Sequence, residues 1–212
     1  MERFISINEH SSIRIEKEKT IYIDPFRIKK ESHDADLILV THSHFDHYSK
    51  EDIEKVMNKN TILVFPKSMQ NEVSYYDEKR VILFDVYEKK TILGIEVETV
   101  PSYNVNKPMH PKENGWVGYI LNIDGSRIYV LGDTDINEDV LKQTCDIVLV
   151  PIGGTYTTNA VEAATLVNKL KSKIAIPTHY GTLVGDKNMV DDFIQNVDKN
   201  IKIIHKINFE KV

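Results

Sequence analysis

Apolar and charged residues alternate along the first two dozen positions, which predicts short, half-buried strands over about 3–24, among them Ile13-Arg14-Ile15 and Ile21-Tyr22-Ile23, stopping at Asp24-Pro25. A polar stretch from Lys29 to Asp34 then leads into an unbroken apolar run, Asp36-Leu37-Ile38-Leu39-Val40, that reads as a buried strand. Ser49 caps a predicted helix over about 50–58, with Glu51 and Asp52 placed to favour the N-terminal dipole. Thr61-Ile62-Leu63-Val64-Phe65 reads as a strand stopped by Pro66, followed by a polar helix over about 67–76. Strands follow at about 80–84 and 91–100, the second ending at Pro101. From Ser102 to Gly115 no periodicity is visible, and loops of that length inside a compact fold usually carry function. Strands at about 116–123 and 127–132 are joined by Asp124-Gly125, a hairpin signal.

Beyond this point the pattern turns to strand–helix alternation. It predicts a helix over about 137–142, a strand at 146–150, a helix at about 158–171, a strand at 173–177, a helix at about 187–197 and a strand at 201–205. There is no linker, low-complexity segment or tandem repeat, so residues 1–212 read as one domain. Strands followed by helices in both halves suit two sheets with helices outside them.

Composition changes this picture in three places. A net charge of −5 and a sequence pI near 5.9 argue against a nucleic-acid surface, which usually has a basic excess. The single cysteine, Cys145, rules out an internal disulfide, and its apolar neighbours Ile147 to Val150 suggest a small buried residue. Met1-Glu2-Arg3-Phe4-Ile5 lacks the apolar core of a signal peptide, and no segment approaches the ~20 apolar residues that span a bilayer. A cytoplasmic protein that makes no membrane contact is the expectation, with its oligomeric state left open.

The chemistry concentrates in Thr41-His42-Ser43-His44-Phe45-Asp46-His47, directly after the strand at 36–40. Three imidazoles and a carboxylate at one strand end make a metal-ligand cluster. With no cysteine in it, the cluster suits zinc, with manganese and iron as alternatives. His42 and His44 are two apart and can point into one site, while Asp46 and His47 come a turn later and can reach a second metal.

This motif resembles the His-x-His-x-Asp-His signature of the metallo-β-lactamase-fold hydrolases. The resemblance implies an α+β fold, a four-layer αββα sandwich that binds one or two metals at one edge of its sheets. It also implies later ligands in a set order, and the chain supplies a candidate for each. His110 is the third imidazole, although it comes later than the family pattern places it, on a loop stiffened by Pro108 and Pro111. The other reading of His110 is an exposed side chain on that loop. Asp133, after Ile128 to Gly132, matches the bridging carboxylate that the β-lactamases proper replace by cysteine; Asp135 is the better candidate for capping the next helix. His179, in Pro177-Thr178-His179-Tyr180-Gly181, closes the set. The implied assignment is His42, His44 and His110 on one divalent metal, Asp46, His47 and His179 on the other, and Asp133 between them. Asp24 and His10 are candidates to orient these ligands. His33 and His205 read as surface or edge residues.

In such a site a metal-bridging hydroxide attacks an electrophilic carbonyl or phosphorus, and Asp46 is a candidate for the proton transfer to the leaving group. Pro151 to Thr158 and Glu162-Ala163-Ala164 are similar to a compact branch that contains the L-ascorbate-6-phosphate lactonase-like proteins. The Gly153-Gly154 turn either binds an anion or is a plain helix start capped by Thr157 or Thr158. Tyr103, Lys107, Lys112 and Tyr156 are placed to line the mouth, which would suit a small anionic ester, lactone or phosphodiester. A nuclease and a non-catalytic metal-binding protein are the alternatives. The acidic balance and the lack of a basic arm favour a small molecule over nucleic acid.

Overall fold

The computed structural model describes residues 3–207 and divides them between two compact units, with the boundary at Asp85–Val86. Unit 1 is a six-stranded sheet in sequence order, made of β1 (Ile5–Ile7), β2 (Ile13–Glu16), β3 (Thr20–Ile23), β4 (Ala35–Leu39), β5 (Met57–Pro66) and β6 (Val81–Phe84). Its first three strands are antiparallel neighbours, and β3 to β6 run parallel. Helix α1 (Lys50–Val56) starts where predicted, because the Ser49 hydroxyl accepts from the Asp52 amide. It presents Ile53 and Val56 to a core built with Tyr22, Ile38, Val40, Leu63 and Phe65. The expected helix over 67–76 is instead two short 3₁₀ turns, Lys67–Met69 and Glu72–Tyr75. Only Met69 and Val73 are buried on them, too narrow an apolar face to hold a longer helix in place.

Unit 2 is a seven-stranded sheet. Its strands are β7 (Lys89–Ile92), β8 (Ile95–Pro101), β9 (Val117–Ile123), β10 (Ser126–Val130), β11 (Ile147–Pro151), β12 (Ile174–Thr178) and β13 (Lys202–Ile203), in spatial order β13-β12-β11-β10-β9-β8-β7. The single strand expected over 91–100 is a hairpin of two, turned at Leu93-Gly94, where both residues take positive φ. Every residue of the parallel neighbours β11 and β12 is buried, as their unbroken apolar runs require. Helices α2 (Glu138–Leu141), α3 (Ala160–Leu170) and α4 (Met189–Asn196) lie close to the positions read from periodicity.

Helix α3 is not capped by Thr157 or Thr158. Asn159 accepts from the Glu162 amide, and the Glu162 carboxylate accepts from the Asn159 amide, a complete capping box. Asn137, and not Asp135, caps α2. No helix of the described residues is long and apolar enough to cross a membrane.

Candidate metal centre

The register of parallel strands builds the donor cluster of unit 1. β3 and β4 pair with Ile23 opposite Leu39, so Asp24 and the Val40-Thr41-His42 segment leave the sheet side by side. The Thr41 amide and hydroxyl donate to Asp24 Oδ1 and Oδ2 at 2.8 and 2.7 Å. His47 Nδ1 lies 2.7 Å from the same Oδ2. Burial pushes the Asp24 carboxyl up, while His47 and Thr41 favour its ionised form.

These contacts fix two tautomers. A carboxylate only accepts, so His47 carries its proton on Nδ1 and presents the Nε2 lone pair. The Thr41 hydroxyl proton is committed to Asp24, so its oxygen accepts from His42 Nδ1 at 3.0 Å, and His42 presents Nε2 likewise. Both are the ligand form of histidine. His42 Nε2 sits 3.1 Å from His44 Nδ1, and His10 Nε2 sits 3.2 Å from Asp46 Oδ2. Around a cation bound at roughly 2.0–2.2 Å, neighbouring ligand atoms are about 3–3.5 Å apart. Donor atoms of His10, Asp46 and His47 also lie within 4.8 Å of one another. His10, read as a residue that orients a ligand, is fully buried here, while Phe45, inside the motif, faces solvent.

Unit 2 assembles the later residues. The 102–115 loop folds back on itself, for the Asn104 backbone amide donates to the His110 carbonyl at 2.7 Å. His110 Nε2 and His179 Nε2 then meet the same atom, Asp133 Oδ2, at 3.3 and 3.0 Å. Ser102 holds the backbone of Asp133 through its carbonyl at 2.9 Å. All three converging residues are buried. Imidazole nitrogens and a carboxylate oxygen are donor types that divalent cations take.

A family model described as the beta-lactamase superfamily domain matches residues 5–179. The chain belongs to the beta-lactamase superfamily. The match crosses the boundary at Asp85–Val86. A UPF0173 metal-dependent hydrolase of Thermococcus kodakarensis is 33% identical over 203 residues, with 84% of this chain and 90% of that protein covered. Among solved structures, a metal-dependent-hydrolase candidate from Parabacteroides distasonis aligns with a TM-score of 0.79 at 26% identity, covering 95% of this chain and 91% of that one. A metallo-beta-lactamase fold protein of Bacillus subtilis aligns at 0.72 and 10% identity, over 93% and 90% of the two chains. The α+β metallo-β-lactamase fold and the metal-dependent hydrolase family stand as the sequence implied.

Of the residues read as a substrate mouth, Tyr103, Lys107 and Lys112 line one cavity, with the lysine charges paired inside the protein. Lys107 pairs with Asp135 and lies 3.8 Å from Glu162. Lys112 donates to Asp139 at 2.9 Å and stacks over the Tyr103 ring. Tyr103 is buried and donates to Asp139 as well. Burial pushes the Asp139 carboxyl up, but Lys112 and two tyrosine hydroxyls outweigh it and hold the group below its ordinary value. Both lysines thus carry a carboxylate already. Tyr156 is partly exposed, and its carbonyl accepts from Asn104.

The Gly153-Gly154 turn has a different use from anion binding. The Gly154 and Thr155 amides donate to Thr158 and Gly153 within the turn, while Gly153 lies so close to His179 that a Cβ there would meet the His179 carbonyl at 2.2 Å. Cys145 is partly buried, and burial pushes its thiol up to about 12, which leaves it inert at neutral pH. No sequence pattern marks Asn104, and the one local signal for Thr41 is a hydroxyl directly before the first candidate donor, His42.

Proposed function

We propose that the protein is a dinuclear hydrolase of a small ester, lactone or phosphodiester, with zinc as its metal and manganese or iron as the alternatives. His42, His44 and His110 would hold one cation, Asp46, His47 and His179 the other, with Asp133 shared. The family's ligand order supports this assignment. The single observation that carries it is the pair of tautomers set by Asp24 and Thr41, which turn the Nε2 lone pairs of two buried imidazoles away from the groups that hold their Nδ1 atoms. Bound divalent cations supply an activated water and polarise the substrate oxygen.

The chain's own residues do the rest. Asp24 keeps the proton on His47 Nδ1 and holds the ring in place. Burial of His42, His47, His110, Asp133 and His179 excludes bulk water and strengthens their electrostatics. Asp46 would carry a proton to the leaving group, a role its 3.2 Å contact with His10 supports. The neutralised lysines give no support to an anionic substrate, so recognition rests on the reacting carbonyl or phosphoryl group. A small molecule as the partner and a cytoplasmic setting complete the reading; the acidic composition and single cysteine support them.

Elemental analysis of purified protein beside His47→Ala tests the proposal. About two equivalents of metal, falling in the variant, are expected, together with hydrolysis of p-nitrophenyl acetate or bis(p-nitrophenyl) phosphate that EDTA abolishes. Metal-free protein that cannot be loaded would sink it.

A further inference from the structure

His47 and His110 face opposite kinds of neighbour. Behind His47 stands a carboxylate, which can only accept. Behind His110 stands the Asn104 amide, with Nδ2 at 3.1 Å from His110 Nδ1. The orientation of that amide is set by its second contact: Nδ2 donates to the Tyr156 carbonyl at 2.8 Å, where an amide oxygen would be repelled. Asn104 is buried, and its Oδ1 has no hydrogen-bond partner among the described residues, so nothing there on the oxygen side opposes this choice.

An amide NH₂ donates and does not accept. His110 Nδ1 must therefore be the bare nitrogen, and the ring proton resides on Nε2, 3.3 Å from Asp133 Oδ2. That is the wrong tautomer for coordination through Nε2, which requires the proton on Nδ1. We infer that the Asn104 amide sets the tautomer of His110, and that this histidine becomes a metal ligand only when the amide turns over and gives up Tyr156. The inference rests on the reading of His110 as a ligand.

The exchange balances within the ring and the amide. The proton leaves Nε2 and returns at Nδ1. The turned amide then offers its Oδ1 to Nδ1–H, satisfying the buried oxygen, and loses the Nδ2 bond to the Tyr156 carbonyl. Asn104 is thus a positioning residue that links metal uptake at His110 to the loop between β11 and α3. Its backbone bond to the His110 carbonyl is untouched by the rotation, so the 104–110 loop stays closed in both states.

The test is ¹⁵N NMR of the His110 ring in metal-free wild-type protein, beside Asn104→Asp. The wild type should show the Nε2–H tautomer, and the variant, whose carboxylate accepts, the Nδ1–H tautomer. Zinc titration should give the variant about 10-fold tighter binding, since no amide has to turn. An Nδ1–H ring in the metal-free wild type overturns the inference, and so does zinc binding no tighter in Asn104→Asp. The wild-type tautomer needs neither metal nor variant. If zinc binds neither protein while the tautomer is as expected, it is the metal reading that fails.

Discussion

Adding one methyl group at Gly153 should disable the centre from behind. The Cβ of an alanine there would lie 2.2 Å from the His179 carbonyl oxygen and 2.8 Å from Val184 Cγ2. Non-bonded carbon contacts settle near 3.5 Å, so the two segments must part by about 1 Å. Both neighbours belong to the segment that carries His179, and the oxygen is backbone, so no side-chain rotation relieves the clash. Overpacking of this kind costs roughly 1–3 kcal/mol, and a backbone obstacle argues for the upper end. For a chain of this size that is a fall in Tm of about 6–12 °C. His179 Nε2, held 3.0 Å from Asp133 Oδ2, moves with its backbone, and a displacement of about 1 Å is worth on the order of 100-fold in a positioned site. The assay is a thermal melt with and without EDTA, plus a zinc titration. Gly125→Ala is the comparison: its φ of +74° makes alanine strained, yet nothing lies within 4 Å of the added carbon. It should cost about 1 kcal/mol and leave zinc affinity alone. Wild-type zinc affinity in Gly153→Ala, or a melt unchanged beyond that of Gly125→Ala, would refute the reasoning.

Asp24→Asn keeps the shape and tolerates the positive φ of 49° at this position, so it isolates the charge behind His47; zinc affinity should fall about 10- to 100-fold with the fold intact by circular dichroism. Tyr129→Phe removes a buried hydroxyl that has no hydrogen-bond partner among the described residues, and should raise stability by about 1 kcal/mol in urea unfolding; a loss of that size would mean the hydroxyl is satisfied. Asp52 accepts from the Arg27 and Ile28 amides, Ser49 and Lys55, which outweigh its burial and hold its carboxyl below the ordinary value. A depressed carboxylate stabilises fully above its unfolded value near 3.9, and the contribution is lost as pH falls through the lower folded value. Asp52→Asn should therefore cost about 1.5–3 kcal/mol at pH 7 and flatten the acid limb of stability; a variant whose acid limb parallels the wild type would show that the carboxylate charge is idle.

The candidate donors at 42–47 were legible because they are neighbours in sequence and their strand announces itself by an unbroken apolar run. Asp133 and His179, which the structure brings to 3.0 Å of one another, stood out because each follows a strand end. The supporting groups did not. Asp24 reaches His47 across 23 residues through strand register, and Asn104 reaches Tyr156 across 52, distances that no local pattern encodes. Lys107 and Lys112 looked available because Asp135 and Asp139, which neutralise them, come 28 and 27 residues later. The Leu93-Gly94 turn was hidden by apolar positions that run on through both strands of its hairpin. Asn159-x-x-Glu162 was a readable capping box, and two adjacent threonines drew attention from it.

His10, Asp24 and His179 all adopt left-handed backbone, with φ of 56°, 49° and 57°. Each such residue costs roughly 1 kcal/mol over a relaxed conformation, and glycine would recover much of it. A laboratory selection for heat resistance alone would thus drift toward glycine at the very positions that hold the donors. The most thermostable descendants of this chain should be hydrolytically dead, and any campaign to harden it has to screen for metal retention alongside melting temperature.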